Sequence, residues 1–329
     1  MHDSTYKKLH AEGLLSDASL QRAEDFEQNR LFSLFWELRL LLYLGVLLLT
    51  GGLGILVYKN IDTIGHQAVL AFIALVTAGC FFYCFRKKAP FSWAQVNAPT
   101  PFFDYILLLG CLSLLIFLGY WQYAYNIFGD NYGLATFLPM VILFTAAYGF
   151  DHLGVLSLAI TNLAAWAGIA ITPLSILKDG NFASPHLIYT GLLLGAVLLA
   201  MGRLTAQRRL KTHFDTSYYN FGLHLFFIAA LAGLFTFDSV WFGWFLGLMG
   251  AAFYCYTQAM AQQSFYFVLV VILYAYIALC DGVIRLLTST HWRDASAFYL
   301  LFLYFIGSAI GLILLLIRIN RQLKAHDRV

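Results

Sequence analysis

Residues 264–287 read SFYFVLVVILYAYIALCDGVIRLL, an apolar run broken only near its end by Asp281 and Arg285. A helix rises about 1.5 Å per residue, so a stretch of this length spans the ~30 Å hydrocarbon core of a bilayer. A membrane strand would instead alternate polar and apolar residues over about ten positions. The run therefore reads as a transmembrane helix. Nine further runs of the same kind lie at 38–58, 67–85, 104–123, 133–150, 153–177, 186–202, 219–237, 240–260 and 297–319. The expected fold is all-α, a polytopic transmembrane helical bundle of about ten spans occupying residues 38–319.

Composition agrees. The chain is 61% hydrophobic, 17% aromatic and only 11% charged, with mean hydropathy +0.74, against roughly 25% charged residues in soluble domains. Ten spans leave little chain for a soluble catalytic domain, a nucleotide-binding domain or a large extracytoplasmic receptor. A net charge of +3 without a clustered basic face argues against nucleic acid as a partner. No HExxH, GxSxG or P-loop appears, so an enzyme is not the expectation. The five cysteines lie inside apolar runs and form no CxxC pair, which reads as small buried hydrophobes rather than a disulfide framework or metal site. No cofactor is expected.

Charge placement sets the orientation. When alternate loops are assigned to the cytoplasm, 16 of the 20 Lys and Arg residues fall inside, including Arg86, Lys87, Lys88, Arg203, Arg208, Arg209 and Lys211. Only Lys59, Lys178, Arg285 and Arg293 fall outside. This excess on short loops makes both termini cytoplasmic. Residues 1–37 are expected to form a helical hairpin, with Gly13 ending one helix and Ser16 capping the next, and residues 320–329 a basic cytoplasmic tail.

The pattern Leu9-x-x-x-Gly13-Leu14-Leu15-Ser16, then Trp36-Glu37-Leu38-x-Leu40-x-x-Tyr43-Leu44-Gly45 at the opening of the first span, resembles a bacterial family of membrane proteins, domain of unknown function 2157. The likeness extends over about residues 1–200. It implies a multi-pass protein of the bacterial inner membrane with a cytoplasmic helical N-terminus, and brings no catalytic residues with it. It also makes a membrane-protein partner part of the expectation.

Chemistry is sought among polar groups submerged in lipid, where an ionisable side chain costs at least ~2.5 kcal/mol unless it pairs or meets water. Asp281 and Arg285 share one helix face at i,i+4 spacing and read as an ion pair or a solute site. Asn162 sits near mid-span in the fifth run, His224 in the inner third of the seventh, and Tyr274 deep in the ninth. Asn162 reads as a hydrogen-bonding amide between helices, His224 as a structural or proton-relaying group, and Tyr274 as a hydroxyl in need of a partner. Asp151 and His152 read as an interfacial turn. Pro139 and Pro173 are expected to kink or break their spans. Gly191 with Gly195, Gly243 with Gly247, and Gly307 with Gly311 are expected to let helices approach closely, the less favoured use of such a face being a homo-oligomer contact.

Two functions fit these features. One is a carrier or channel-like component for a small solute, ion or lipid, with Asp281, Arg285, Asn162, His224 and Tyr274 along a polar pathway. The other is a non-catalytic scaffold or sensor subunit that docks a partner through the N-terminal hairpin.

Overall fold

A computed structural model describes residues 16, 19, 35–100, 102–129, 131–171, 184–289 and 295–326. The expected hairpin of residues 1–37, Pro173 and the last residues of the expected tail lie outside these residues, apart from Ser16, Ser19 and residues 35–37. Among the described residues the chain forms ten α-helices and no strand: α1 (Phe35–Ile64), α2 (His66–Lys87), α3 (Phe103–Tyr125), α4 (Tyr132–Phe150), α5 (Leu153–Ile171), α6 (Pro185–Arg208), α7 (Asp215–Thr236), α8 (Trp241–Ala261), α9 (Phe265–Ser289) and α10 (Ala295–His326). Nine are long and apolar enough to cross a membrane. The tenth, α5, contributes the shorter apolar stretch Leu153–Gly168. The helix α10 continues through Arg321 and Lys324 to His326, so most of the expected tail is its final turns.

The chain divides into a unit ending at Lys59 and a larger one from Asn60. In the first, α1 satisfies its one buried hydroxyl locally, Thr50 Oγ1 donating to the carbonyls of Val46 and Leu47 at 2.9 and 3.0 Å. That back-bonding removes the need for a partner helix.

In the second unit consecutive helices pack as hairpins, α2 with α3, α4 with α5, α6 with α7 and α8 with α9. The central helix is α7, which touches α5, α6, α8 and α9. Its tightest contact is with α6. A Cβ on Gly195 would lie 2.6 Å from the Phe226 nitrogen, and one on Gly222 2.8 Å from the Leu199 nitrogen. Only glycine permits backbones this close. Gly191 serves the same contact, 2.9 Å from the Ala229 Cβ. Among the described residues Gly243, Gly247, Gly307 and Gly311 have nothing within 4 Å of a built Cβ. The close approach expected of all three pairs therefore belongs to α6 alone, because packing needs a partner ridge as well as a small residue. Pro139 lies inside α4 without interrupting it.

Three apolar clusters fill the second unit. One gathers α2 to α7 around Phe103, Leu107, Leu143, Leu156 and Phe214. A second lies between α7, α8 and α9 around Leu223, Phe227, Leu234 and Ala278. The third ties α10 to α8 and α9 through Ile319 and Leu323. The large apolar side chains left exposed, such as Leu193, Phe253, Leu303 and Leu314, suit helices bathed in lipid.

Candidate functional site

The turns that follow α2, α4 and α6 meet at one end of the second unit, where Lys211 N donates to the Trp93 carbonyl at 2.8 Å and Asp151 joins both neighbours. The side chain of Arg203, near the end of α6, reaches the Tyr254 hydroxyl on α8, so α9 starts from this same end. Basic residues gather here: Arg86, Lys87, Lys88, Arg203, Arg208, Arg209 and Lys211. This is the end that the charge count assigns to the cytoplasm.

From it a chain of hydrogen bonds enters the seam between α7 and α9. Tyr266, the second residue of α9, donates its hydroxyl to Asn220 Oδ1 at 2.8 Å. His224 Nε2 lies 3.1 Å from the same Tyr266 oxygen, and His224 Nδ1 lies 2.8 Å from the Tyr274 hydroxyl. The donor bookkeeping fixes the neutral tautomer. Because the Tyr266 proton is committed to Asn220, Nε2–H donates to Tyr266 and Tyr274 donates to Nδ1. Eight residues of helix separate Tyr266 from Tyr274, a drop of about 12 Å. The line therefore runs from the membrane boundary to the middle of the span.

There it stops. The Phe227 ring stacks on Tyr274 with centroids 5.3 Å apart and planes 11° apart. Beyond it, Phe227, Leu234 and Ala278 are fully buried and Leu231 nearly so. Among the described residues no hydrogen bond links the His224 line to Arg285 across this plug.

On its far side stands Arg285. Its Nε donates to Asp281 Oδ2 at 2.8 Å, one terminal nitrogen to Asp238 Oδ1 at 2.7 Å, and the other to the Leu234 carbonyl at 3.3 Å. Its guanidinium also lies 5.7 Å from the Trp241 ring centroid. The i,i+4 pair exists, and the structure adds a second carboxylate from the short turn between α7 and α8. The arginine pins α9 to the last turn of α7, which uses its planar fork of donors.

The five sequence-selected residues therefore form two groups and one outlier. His224 meets Tyr274, Asp281 meets Arg285, and Asn162, half-buried on α5, joins neither. Two other tyrosines within the spans find partners: Tyr276 with Ser308 on α10 at 2.9 Å, and Tyr254 with Arg203. None reaches Asp281. Among the described residues no three His, Cys, Asp or Glu side chains converge as a metal centre requires.

Sequence reasoning missed the knot at the basic end. Asp151 is buried at 3% side-chain exposure, with Lys211 Nζ at 3.0 Å and His213 Nε2 at 2.7 Å from Oδ1, while Oδ2 accepts from the Val96 nitrogen. Lys211, at 1% exposure, also points Nζ toward the Ala94 carbonyl at 3.4 Å and stands over the Phe91 ring. Asp151, Arg209 and Lys211 hold positive φ of 60°, 54° and 49°. That region disfavours side chains other than glycine, asparagine and aspartate. His152 lies beside it, Nε2 at 3.9 Å from Asp104 Oδ1. A signal was present: both short turns between apolar runs carry a charge within two residues of a histidine, Asp151 with His152 and Lys211 with His213, but nothing in the order of residues says that the two turns touch.

A cleft of about 440 Å³ opens beside this knot between α6, α7 and α8. Arg203, Asp215, Thr216 and Gln258 line one end, and Ala196, Phe226 and Ala251 the other.

A family model described as a predicted membrane protein, DUF2157, matches residues 7–156. The match covers less than half of the chain. It ends short of the roughly 200 residues that the sequence pattern suggested, and α2, α3, α4, Asp104, Asp151 and His152 lie within the matched stretch. Asn162, His224, Tyr274, Asp281 and Arg285 lie beyond it. A curated relative, the L-rhamnose-proton symporter of Pectobacterium carotovorum subsp. carotovorum (strain PC1), is 29% identical over 101 residues, 30% of this chain. The matched stretch spans 28% of that symporter's length. No solved structure matches.

Proposed function

We propose that the protein is a proton-coupled carrier for a small polar solute in the bacterial inner membrane, crossing it ten times with both termini in the cytoplasm. The observation that carries this reading is the α7/α9 seam, where the Asn220–Tyr266–His224–Tyr274 line reaches mid-span from the basic end. The far side is closed by Phe227, Leu231, Leu234 and Ala278 and clasped by Arg285. A carrier needs polar access from one side at a time, and a histidine with both nitrogens engaged is suited to accept and return a proton. In this reading the Arg285 clasp is the outer gate and the Asp151–Lys211–His213 knot the inner one, which extends the role first considered for Asp281 and Arg285. Asn162 is left as helix contact. The partial likeness to a proton symporter points toward monosaccharides as the first solutes to try.

The test is uptake by proteoliposomes under an imposed proton gradient, with labelled L-rhamnose and a panel of monosaccharides. Support would be gradient-driven uptake that an uncoupler abolishes and His224→Gln removes. Uptake indifferent to both the gradient and His224 would refute the coupling.

A second reading, a scaffold or sensor subunit, draws on one observation: among the described residues nothing stands within 4 Å of a Cβ built on Gly307 or Gly311 of α10, a surface suited to a second membrane protein or another copy of this chain. Co-purification lost on Gly307→Leu, with the bundle still folded, would favour it.

A further inference from the structure

The cleft between α6, α7 and α8 carries charges of both signs at one end and none at the other. Arg203 of α6 extends across it to the Tyr254 hydroxyl and lies over that ring at 5.9 Å. Its counter-charge is not Asp215, because among the described residues no ion pair within 4.0 Å joins them. Asp215, the first residue of α7, accepts the Thr216 hydroxyl at 2.9 Å. The two helices are nevertheless close there, since a Cβ on Gly202 would stand 3.2 Å from the Asp215 carbonyl oxygen. Deeper in, the Tyr219 hydroxyl is buried against the Cys255 thiol. Beyond Tyr219 the walls are apolar to Phe226, eleven residues and about 16 Å along α7 from Asp215.

A guanidinium with no carboxylate partner among the described residues and a carboxylate on the same rim, opening onto an apolar slot that runs into the membrane, describe an amphiphile whose head carries both charges. We propose that this cleft binds a zwitterionic phospholipid of the ethanolamine class. Its phosphate lies on Arg203 with Tyr254 and Gln258, its ammonium on Asp215 and Thr216, and one acyl chain between α6 and α8. A purely anionic headgroup would satisfy Arg203 and meet repulsion from Asp215. A choline headgroup would bring no N–H donor to the carboxylate. The depth is right for a headgroup, because basic pockets between helices at this end are where lipid phosphates are held. The site is independent of the α7/α9 seam, so it stands or falls apart from the transport reading.

The experiment is native mass spectrometry of the full chain released from nanodiscs containing equal parts of phosphatidylethanolamine, phosphatidylglycerol and phosphatidylcholine. The expected result is one retained lipid, the ethanolamine lipid, in clear excess over the other two. Charge-assisted hydrogen bonds set the scale, so Arg203→Gln should reduce retention roughly tenfold. Asp215→Asn should instead switch the preference to phosphatidylglycerol while keeping Arg203 in use. That switch is a readout that a merely destabilised protein cannot give. Millimolar phosphoethanolamine tests the headgroup without its tail. Displacement of the lipid by it would show that the polar rim alone suffices and would overturn the role of the apolar slot, whereas no displacement is expected. Equal retention of all three lipids, preference for phosphatidylglycerol in the unaltered protein, or indifference to Asp215→Asn would each overturn the proposal.

Discussion

Replacing Lys211 with methionine keeps its length and apolar stem and removes only the ammonium group that sits 3.0 Å from Asp151 Oδ1. At that separation and an effective dielectric constant of about 20, two unit charges attract by about 5 kcal/mol. The loss is not all of that, since Asp151 keeps His213 Nε2 at 2.7 Å and the Val96 amide. Breaking a buried pair from one side costs about 3–5 kcal/mol, and the lower end applies here because of the remaining partners. Lys211→Met should therefore destabilise the bundle by about 3 kcal/mol, and Asp151→Asn by a similar amount, since it strands a lysine at 1% exposure. The double variant should lose at least ~1 kcal/mol less than the sum of the single changes, because the two residues share one interaction. Reversible unfolding in mixed micelles titrated with a denaturing detergent reads all four species. If Lys211→Met lies within about 0.5 kcal/mol of the unaltered protein, the range of ordinary surface changes, then the knot is not the buried charge network described above.

Other expectations follow from the same geometry. Gly195→Ala places a methyl 2.6 Å from a backbone nitrogen and should cost about 1–3 kcal/mol, while Gly307→Ala should fall within about 0.5 kcal/mol; thermal midpoints in one detergent compare them. At the Arg285 clasp, Asp281→Asn should lower stability more than Asp238→Asn, because the Asp281 side chain is 16% exposed and that of Asp238 78%, where water screens the pair. Tyr274→Phe removes the proton donor to His224 Nδ1 and should slow gradient-driven uptake without unfolding the bundle, which circular dichroism checks. Arg209→Gly should be neutral or stabilising, since it replaces a side chain held at φ 54° with the residue that tolerates that region.

What could be read from the sequence was local. Hydrophobic run length gave the spans because a helix must cover the hydrocarbon by itself, and Asp281–Arg285 was visible because four residues make one turn. Asp238 completes that clasp from 47 positions away, and His224 meets Tyr274 from 50 positions away. No periodicity encodes such pairs, since they depend on which helices become neighbours. Asp151 was misread for the same reason. A turn between two spans normally meets water, and the arrival of Lys211 and His213 from the turn after α6, with Val96 from the segment after α2, buries it. Glycine spacing misled in the other direction, marking α6, α8 and α10 alike when only α6 has a backbone set against it.

The most direct measurement concerns Ala278, fully buried in the plug between the His224 line and the Arg285 clasp. With Cys80, Cys84, Cys111, Cys255 and Cys280 replaced, Ala278→Cys is exposed in intact cells to a membrane-impermeant maleimide, beside an Ile127→Cys control at the far end of α3. Alternating access predicts slow but complete labelling of Ala278→Cys as the seam opens, at a rate that falls when the medium is chilled. Complete labelling of the control with none at Ala278→Cys would mean that the plug never opens, and would contradict a carrier.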